Sequence, residues 1–118
     1  MRQNLSLFTP TELAVIDRHR VARLATADLH GVPHLIPIVY ACGHEAVYFI
    51  IGDKPKRSHT GLKRQRNIER NPQVALLFDD YDEDWTSLAY LLIHGRAAVV
   101  GDRTKYARIL NALRVRYP

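Results

Sequence analysis

Three short strand-like segments joined by tight turns are the feature that most constrains the fold. Residues 21–27, 34–40 and 46–51 are mostly apolar, and the third is rich in β-branched and aromatic residues. Turns are predicted at 29–32, where Gly31 is free to adopt a positive φ, and at 41–45. Connections this short place successive strands antiparallel, which indicates an antiparallel sheet or a small barrel.

Helices are predicted on either side of these strands. Thr9 is placed to cap a helix with Pro10 in its first turn and Glu12 completing a capping box, and this helix is expected to run to Arg18. A second helix is predicted over about 58–70, with Leu62 and Ile68 turned inward. Asp102 is a candidate cap for a last helix.

The remaining segments predict further strands. Residues 74–78 form a fourth strand, the acidic run through Trp85 a loop, and 88–100 one long strand or two short ones with a bulge at Gly95. Pro37 lacks a backbone donor, so the second strand is expected at an edge or a bulge. The fold class is therefore mainly β with flanking helices.

Composition limits the size and the location of the protein. The 118 residues, 47% of them hydrophobic, predict a single domain over residues 1–118. The single cysteine excludes an internal disulfide and favours a cytoplasmic location. Neither a signal peptide nor an apolar run of about 20 residues is visible, so no membrane association is expected.

Several kinds of catalytic site are not indicated. The sequence contains no Gly-rich dinucleotide fingerprint, no P-loop and no nucleophile-elbow motif. His30 and His34 are separated by Gly31 and Pro33, which argues against a shared helix face, so no metal site is expected. No paired acid and base emerges, so no catalytic residue is assigned.

The positive charge is concentrated in one stretch. The chain carries 17 Lys and Arg against 12 Asp and Glu, and residues 54–70 hold seven of those bases opposed only by Glu69. Lys54, Lys56, Arg57 and Ser58 follow a strand and precede a helix, where backbone N–H groups favour an anion. On composition alone a solvated basic helix face is the favoured interpretation of this stretch. Nucleic-acid binding is disfavoured because the stretch has no aromatic residue for base stacking.

With these residues placed, the chain resembles the pyridoxamine-phosphate-oxidase-like split-barrel flavoproteins, most closely their deazaflavin-using branch. The resemblance covers roughly residues 10–116. The matching motifs are Arg23-Leu24-Ala25-Thr26, Gly31-Val32-Pro33-His34, Lys54-Pro55-Lys56-Arg57, Asn67-Ile68, Asn71-Pro72, Tyr81-Asp82-Glu83-Asp84-Trp85 and Gly95-Arg96. The ordered set is more specific than any one motif.

The resemblance implies an antiparallel split β-barrel that forms a homodimer with cofactor sites at the interface. The family normally ends with a further strand that closes the barrel. This sequence stops at residues 116–118, so the chain is expected to lack that last C-terminal strand.

The resemblance also implies a set of cofactor-binding residues. The cofactor phosphate is expected at Lys54, Lys56, Arg57, Ser58, Lys63 and Arg64. The ring system is expected against the first two strands, at Ala25, Thr26, Pro37 and Ile38. Trp85 is expected to approach from a neighbouring segment or from the partner subunit.

The implied activity is hydride transfer between a bound cofactor and a small organic substrate. Coenzyme F420 is favoured because its long anionic tail suits the dense run of bases, and FMN is the alternative. Two other functions stay open: a non-catalytic module that binds flavin or haem, and a nucleic-acid-binding protein that uses residues 54–70.

Overall fold

The computed structural model describes residues 7–43, 46–50 and 59–118, and for residues 59–64 only the backbone. Nine main elements follow one another along this part of the chain. They are α1 (Pro10–Arg18), β1 (Ala22–Ala27), β2 (Pro33–Ile38), β3 (Tyr40–Cys42), β4 (Val47–Phe49), α2 (His59–Arg70), β5 (Gln73–Asp80), β6 (Ala89–Arg96) and α3 (Arg103–Arg116).

The strands form two antiparallel sheets. Four strands pair in the order β2-β1-β5-β6, and β3 pairs with β4. Pro37 lies on β2, an edge strand, as its missing backbone donor requires. The expected mainly antiparallel architecture with flanking helices is confirmed.

Alternation along the strands gives the larger sheet two distinct faces. On β1, Ala22, Leu24 and Thr26 are buried, while the intervening residues point to the opposite face. The buried face packs against α1 and β3, where Ile16, Tyr40 and Phe78 are essentially inaccessible to solvent. We call this the inner face, and the opposite side the outer face.

Local capping and turn signals are confirmed. Thr9 accepts a hydrogen bond from the Glu12 backbone at 3.1 Å, and the Glu12 side chain accepts one from the Thr9 backbone at 2.9 Å. Asp102 caps α3 through the backbone of Thr104 and Lys105. Gly31 adopts a φ of 80° in the β1–β2 turn.

Several local predictions are wrong. The single strand predicted over 34–40 is two strands in different sheets, because β2 ends at Ile38 and β3 begins at Tyr40. The predicted turn at 41–45 begins too early, because Ala41 and Cys42 belong to β3 and pair with β4. Gly95 forms no bulge, since the β5–β6 register runs without interruption from Gln73 opposite Arg96 to Asp80 opposite Ala89. The acidic loop starts later than predicted because β5 extends through Asp79 and Asp80.

Candidate functional site

The outer face of the four-stranded sheet carries two cross-strand rows of side chains. Both rows run from β2 through β1 and β5 to β6. One row is Leu35, Ala25, Ala75 and His94, and the other is Pro37, Arg23, Leu77 and Leu92. Each row alternates in register with an inner-face row, so the backbone fixes which side chains share this surface.

Apart from Arg23 and His94, this surface is apolar, and its edges are open to solvent. Leu35 is 68% exposed, Leu92 46% and Tyr90, two residues before Leu92 on β6, 72%. Side chains of this size seldom cluster on a solvent-facing sheet unless something covers them. The outer face is therefore the most evident contact surface among the described residues.

Small side chains occupy the centre of the outer face. Ala25 and Ala75 lie opposite each other on adjacent strands. Each projects only a methyl group, and the larger Leu35 stands next to Ala25 on β2. The two methyl groups therefore leave a shallow apolar stretch between Leu35 on β2 and His94 on β6.

The predicted ring contacts divide between the two faces. Ala25 and Pro37 lie on the outer face, where a ring is able to reach them. Thr26 and Ile38 have side chains that are buried on the inner face, 6% and 7% exposed. Their side chains are therefore out of reach of a ligand on the outer face, and their role as ring contacts stays a prediction.

The predicted phosphate-binding residues fall at the edge of the described structure. Lys54, Lys56, Arg57 and Ser58 lie outside the described residues. Lys63 and Arg64 lie on α2, and only their backbone is described. Their assignment to a phosphate site stays a prediction.

The C-terminal half of α2 is anchored firmly to the sheet. Ile68 and Asn67 are buried, and α2 packs against β1. The Asn71 backbone donates to the Asn67 carbonyl at 2.7 Å, and the Asn71 amide reaches the Asp28 carbonyl at 3.5 Å. These contacts fix the end of α2 beside the β1–β2 turn, so the helix that carries Lys63 and Arg64 has a defined position on the sheet.

Trp85 projects from a hydrogen-bonded turn. It begins a short 3-10 helix, Trp85–Ser87, and is 74% exposed. Asp84 accepts hydrogen bonds from the Thr86 backbone at 3.0 Å and the Thr86 hydroxyl at 2.7 Å, which holds the pKa of this carboxyl below its usual value. The turn holds the indole out in solvent, as a residue that contacts a ligand or another subunit requires.

The predicted site residues did not include the contribution of β5 and β6 to the outer face. Their sequences contain consecutive apolar residues, at 74–78 and 91–93. Such runs are typical of strands that are covered on both faces, whereas a strand with one wet face alternates. That signal would have identified Ala75, Leu77 and Leu92 as candidates.

The described residues also bear on three other features: a metal site, a reactive thiol and a membrane-spanning helix. Those residues include no cluster of three or more His, Cys, Asp or Glu side chains placed to hold a metal. Burial raises the pKa of the Cys42 thiol, so it is protonated at neutral pH and a weak nucleophile. None of the described helices has the length and apolar character needed to span a membrane.

Similar proteins are found both by sequence and by fold. A 5a,11a-dehydrotetracycline/5a,11a-dehydrooxytetracycline reductase of Streptomyces rimosus is 32% identical over 92 residues, which cover 76% of this chain and 62% of the reductase. This chain therefore spans less than two thirds of that relative.

Among the solved structures with similar folds are two from relevant proteins. A conserved hypothetical protein from Mycobacterium tuberculosis superposes with a TM-score of 0.74 at 23% identity, covering 99% of this chain and 69% of the other. An F420 reductase superposes with a TM-score of 0.60 at 26% identity, covering 88% and 74%. These similarities support the split-barrel architecture.

The family itself is shown by a direct match over nearly the whole sequence. The family model described as pyridoxamine 5'-phosphate oxidase matches residues 8–118. This confirms the resemblance that the ordered motifs indicated: the chain belongs to the pyridoxamine 5'-phosphate oxidase family.

Proposed function

We propose that this protein is an oxidoreductase that transfers a hydride between coenzyme F420 and a small organic substrate. The observation that carries the proposal is the exposed outer face, where Ala25 and Ala75 form a flat apolar floor. Two similar proteins are named as reductases, one of them an F420 reductase, which supports the same reaction class.

The protein's own residues are assigned binding and orienting roles. The bound cofactor supplies the hydride chemistry. Ala25, Ala75 and Pro37 would support its ring, and Thr26 and Ile38 would contribute through their backbone. Leu35 and Leu92 exclude water from the reacting faces. No proton donor is assigned within this set.

The choice of cofactor depends on the basic stretch. The proposed phosphate-binding residues are Lys54, Lys56, Arg57 and Ser58. Lys63 and Arg64, which follow on α2, are proposed to contribute to the same site. A long anionic tail gains more charge-assisted hydrogen bonds from such a run than a single phosphate gains. Coenzyme F420 is therefore preferred, and FMN is the alternative.

The active form is proposed to be a homodimer that covers the outer face. A second copy would remove Leu35, Tyr90 and Leu92 from water and close the cofactor site. Trp85, whose indole is exposed, is then available to the partner's site. A cytoplasmic location is part of the same proposal, supported by the single cysteine.

The test is a cofactor titration followed by a turnover assay. Purified protein is titrated separately with coenzyme F420, FMN and haem, and binding is followed by absorbance and fluorescence. We expect micromolar binding of F420 and weak binding of FMN. Oxidation of reduced F420 is then measured with quinones, enones and 5a,11a-dehydrotetracycline as acceptors.

Each alternative predicts a different outcome. Binding of flavin or haem without turnover of any acceptor would identify a non-catalytic binding module. Failure of all three cofactors, together with tight nucleic-acid binding that weakens steeply with salt, would favour the nucleic-acid function. Turnover with FMN alone would replace F420 in the proposal.

A further inference from the structure

The outer face of the sheet carries opposite charges at its two ends. Two further rows flank the rows of the candidate site: Gln73 opposite Arg96, and Asp79 opposite Tyr90. Because alternate residues of a strand share a face, all four side chains lie on the outer face, and all four are exposed. We call the Arg96 row the basic end of this face and the Asp79 row its acidic end.

The acidic end is extended by the loop that follows it. Residues 81–88 join β5 to β6 at this end of the sheet, and Asp82, Glu83 and Asp84 within them are exposed. Asp82 and Asp84 accept hydrogen bonds from backbone N–H groups of the loop itself, which define its shape. The loop therefore adds an ordered acidic surface to the acidic end, and the apolar rows separate this surface from the basic end.

We propose that two copies of the chain stack their outer faces with the strands running in opposite directions, so that the basic end of each copy meets the acidic end of the other. This arrangement rests on the proposed homodimer and adds its orientation. A two-fold axis that crosses the strands relates the copies, so each contact is made twice. Arg96 then faces the partner's Asp79 and the acidic loop that follows it, where a guanidinium and carboxylates form charge-assisted hydrogen bonds.

Charge disfavours the other two-fold stacking of the same faces. With the strands of the two copies parallel, acidic end would lie on acidic end and basic end on basic end. Like charges that face each other across an interface are strongly unfavourable. The apolar rows do not distinguish the two orientations, because Leu35, Leu77 and Leu92 are covered in either one. The charged ends therefore set the orientation.

This orientation also gives Arg23 a place in the candidate site. Arg23 lies in the row next to that of Ala25 and Ala75, and no carboxylate pairs with it among the described residues. When the outermost rows of the two copies face each other, the two rows between them do so as well, because the rows are evenly spaced along the strands. The partner's Arg23 is thereby brought toward the floor formed by Ala25 and Ala75, where its positive charge favours an anionic ligand.

The test reverses the charge of each end separately and then of both ends together. The basic end is reversed by Arg96→Glu, the acidic end by Asp79→Lys with Glu83→Lys, and a triple variant combines all three changes. Glu83 is substituted because the aspartates of the loop make the hydrogen bonds that define its shape. Arg114→Glu is the matched control, since Arg114 is exposed and lies on α3, outside the sheet. Sedimentation velocity gives the dimer dissociation constant of each protein.

Reversal of one end should raise the dimer dissociation constant about tenfold, because each pair occurs twice and attraction becomes repulsion. The triple variant and the control should match wild type. Unchanged dissociation constants for both one-end variants would overturn the proposal, because stacked like ends repel equally when their sign is reversed. A monomeric wild type would overturn it together with the proposed homodimer.

Trp85 supplies a second readout that needs no cofactor. It is the single tryptophan of the chain, it lies in the acidic loop, and it is 74% exposed. Its fluorescence should shift to shorter wavelength as wild type dimerises and should stay at longer wavelength in Arg96→Glu. An emission that does not change on dimerisation would overturn the contact of the acidic loop. A dimer that shows the expected charge pattern and binds neither F420 nor FMN would support the orientation and contradict the proposed function alone.

Discussion

At the scale of single residues, Tyr40 stands out because a buried hydroxyl satisfies the end of a helix. Its OH lies 2.6 Å from the Ile16 carbonyl oxygen and 2.8 Å from that of His19, and its ring meets Phe78 edge-on. Burial raises the pKa of Tyr40, so the hydroxyl keeps its proton well above neutral pH.

Tyr40→Phe should therefore lower the free energy of unfolding by about 1–2 kcal/mol. Tyr106→Phe is the control, because Tyr106 is half exposed and lies on α3 away from these carbonyls. Urea denaturation of both variants gives the comparison. Equal stability of the two variants would contradict the role assigned to the Tyr40 hydroxyl.

Arg116 completes the same junction from α3. Its guanidinium donates to the carbonyls of Ile16 and His19, pairs with Asp17 and stacks on the Tyr40 ring at 4.7 Å. Arg116→Ala should lower the free energy of unfolding by about 2–3 kcal/mol, because several charge-assisted bonds to partly buried carbonyls are lost.

Arg114→Ala is the matched control, since Arg114 lies on the same helix and is exposed. It should change the free energy of unfolding by less than about 0.5 kcal/mol. Thermal or urea unfolding that ranks Arg114→Ala as the more damaging variant would show that the junction is misassigned.

The sequence does not predict this junction. Tyr40 was expected on a strand and Arg116 near the end of a helix, and both expectations hold approximately. Their contacts with Ile16 on α1 span 24 and 100 residues along the chain, and no local sequence pattern predicts contacts at such separations. The pairing depends on the tertiary fold, which places α1, β3 and α3 together.

At the scale of elements, the β1–β2 turn depends on one glycine. Gly31 has a φ of 80°, a conformation that costs an L-residue about 1–2 kcal/mol. A Cβ at this position meets no atom within 4 Å, so the cost of Gly31→Ala would come from the backbone alone.

Gly31→Ala should thus lower the free energy of unfolding by about 1–2 kcal/mol. Gly95→Ala on β6 also has open space around the new Cβ, without a positive φ. It should leave stability unchanged or raise it slightly, because glycine weakens a strand. Because neither position is crowded, chemical denaturation of the two variants isolates the cost of the positive φ. A Gly31→Ala variant as stable as wild type would contradict the turn geometry.

Helices were easier to predict than strand boundaries, for a physical reason. The ends of α1 and α3 depend on Thr9 and Asp102, whose side chains bond backbone groups two or three residues away. The continuity of β6 through Gly95 depends on pairing with β5, which is a non-local property. Glycine alone therefore suggested a bulge that the sheet does not form.

At the scale of the whole molecule, the exposed outer face predicts self-association. Leu92→Glu would put a charge on this face and should convert the proposed dimer to a monomer, because a buried unpaired carboxylate is costly. Val115→Glu is the control, since Val115 is also apolar and is still more exposed than Leu92, but lies on α3. Sedimentation velocity measures the result, and a monomeric wild type would exclude the dimer.

The candidate site was partly predictable from sequence. The family resemblance located Ala25 and Pro37, which the structure places on the outer face. Which strand residues face outward was settled only by the sheet register, and this moved the side chains of Thr26 and Ile38 to the inner face. Ala75 and Leu92 joined the site because β5 and β6 pair beside β1.

The central claim is that an anionic flavin-type cofactor binds through the basic stretch that precedes α2. The most direct measurement is the Kd for coenzyme F420 of wild type, of a Lys54→Ala, Lys56→Ala, Arg57→Ala triple variant, and of a triple alanine control. The control replaces three exposed bases on α3, Arg103, Arg108 and Arg114.

We expect micromolar binding of F420 to wild type and to the control. The Kd of the Lys54→Ala, Lys56→Ala, Arg57→Ala variant should be about 100-fold higher. The same Kd for all three proteins would contradict the proposed phosphate site. Absence of F420 and FMN binding to the wild type would contradict the account as a whole.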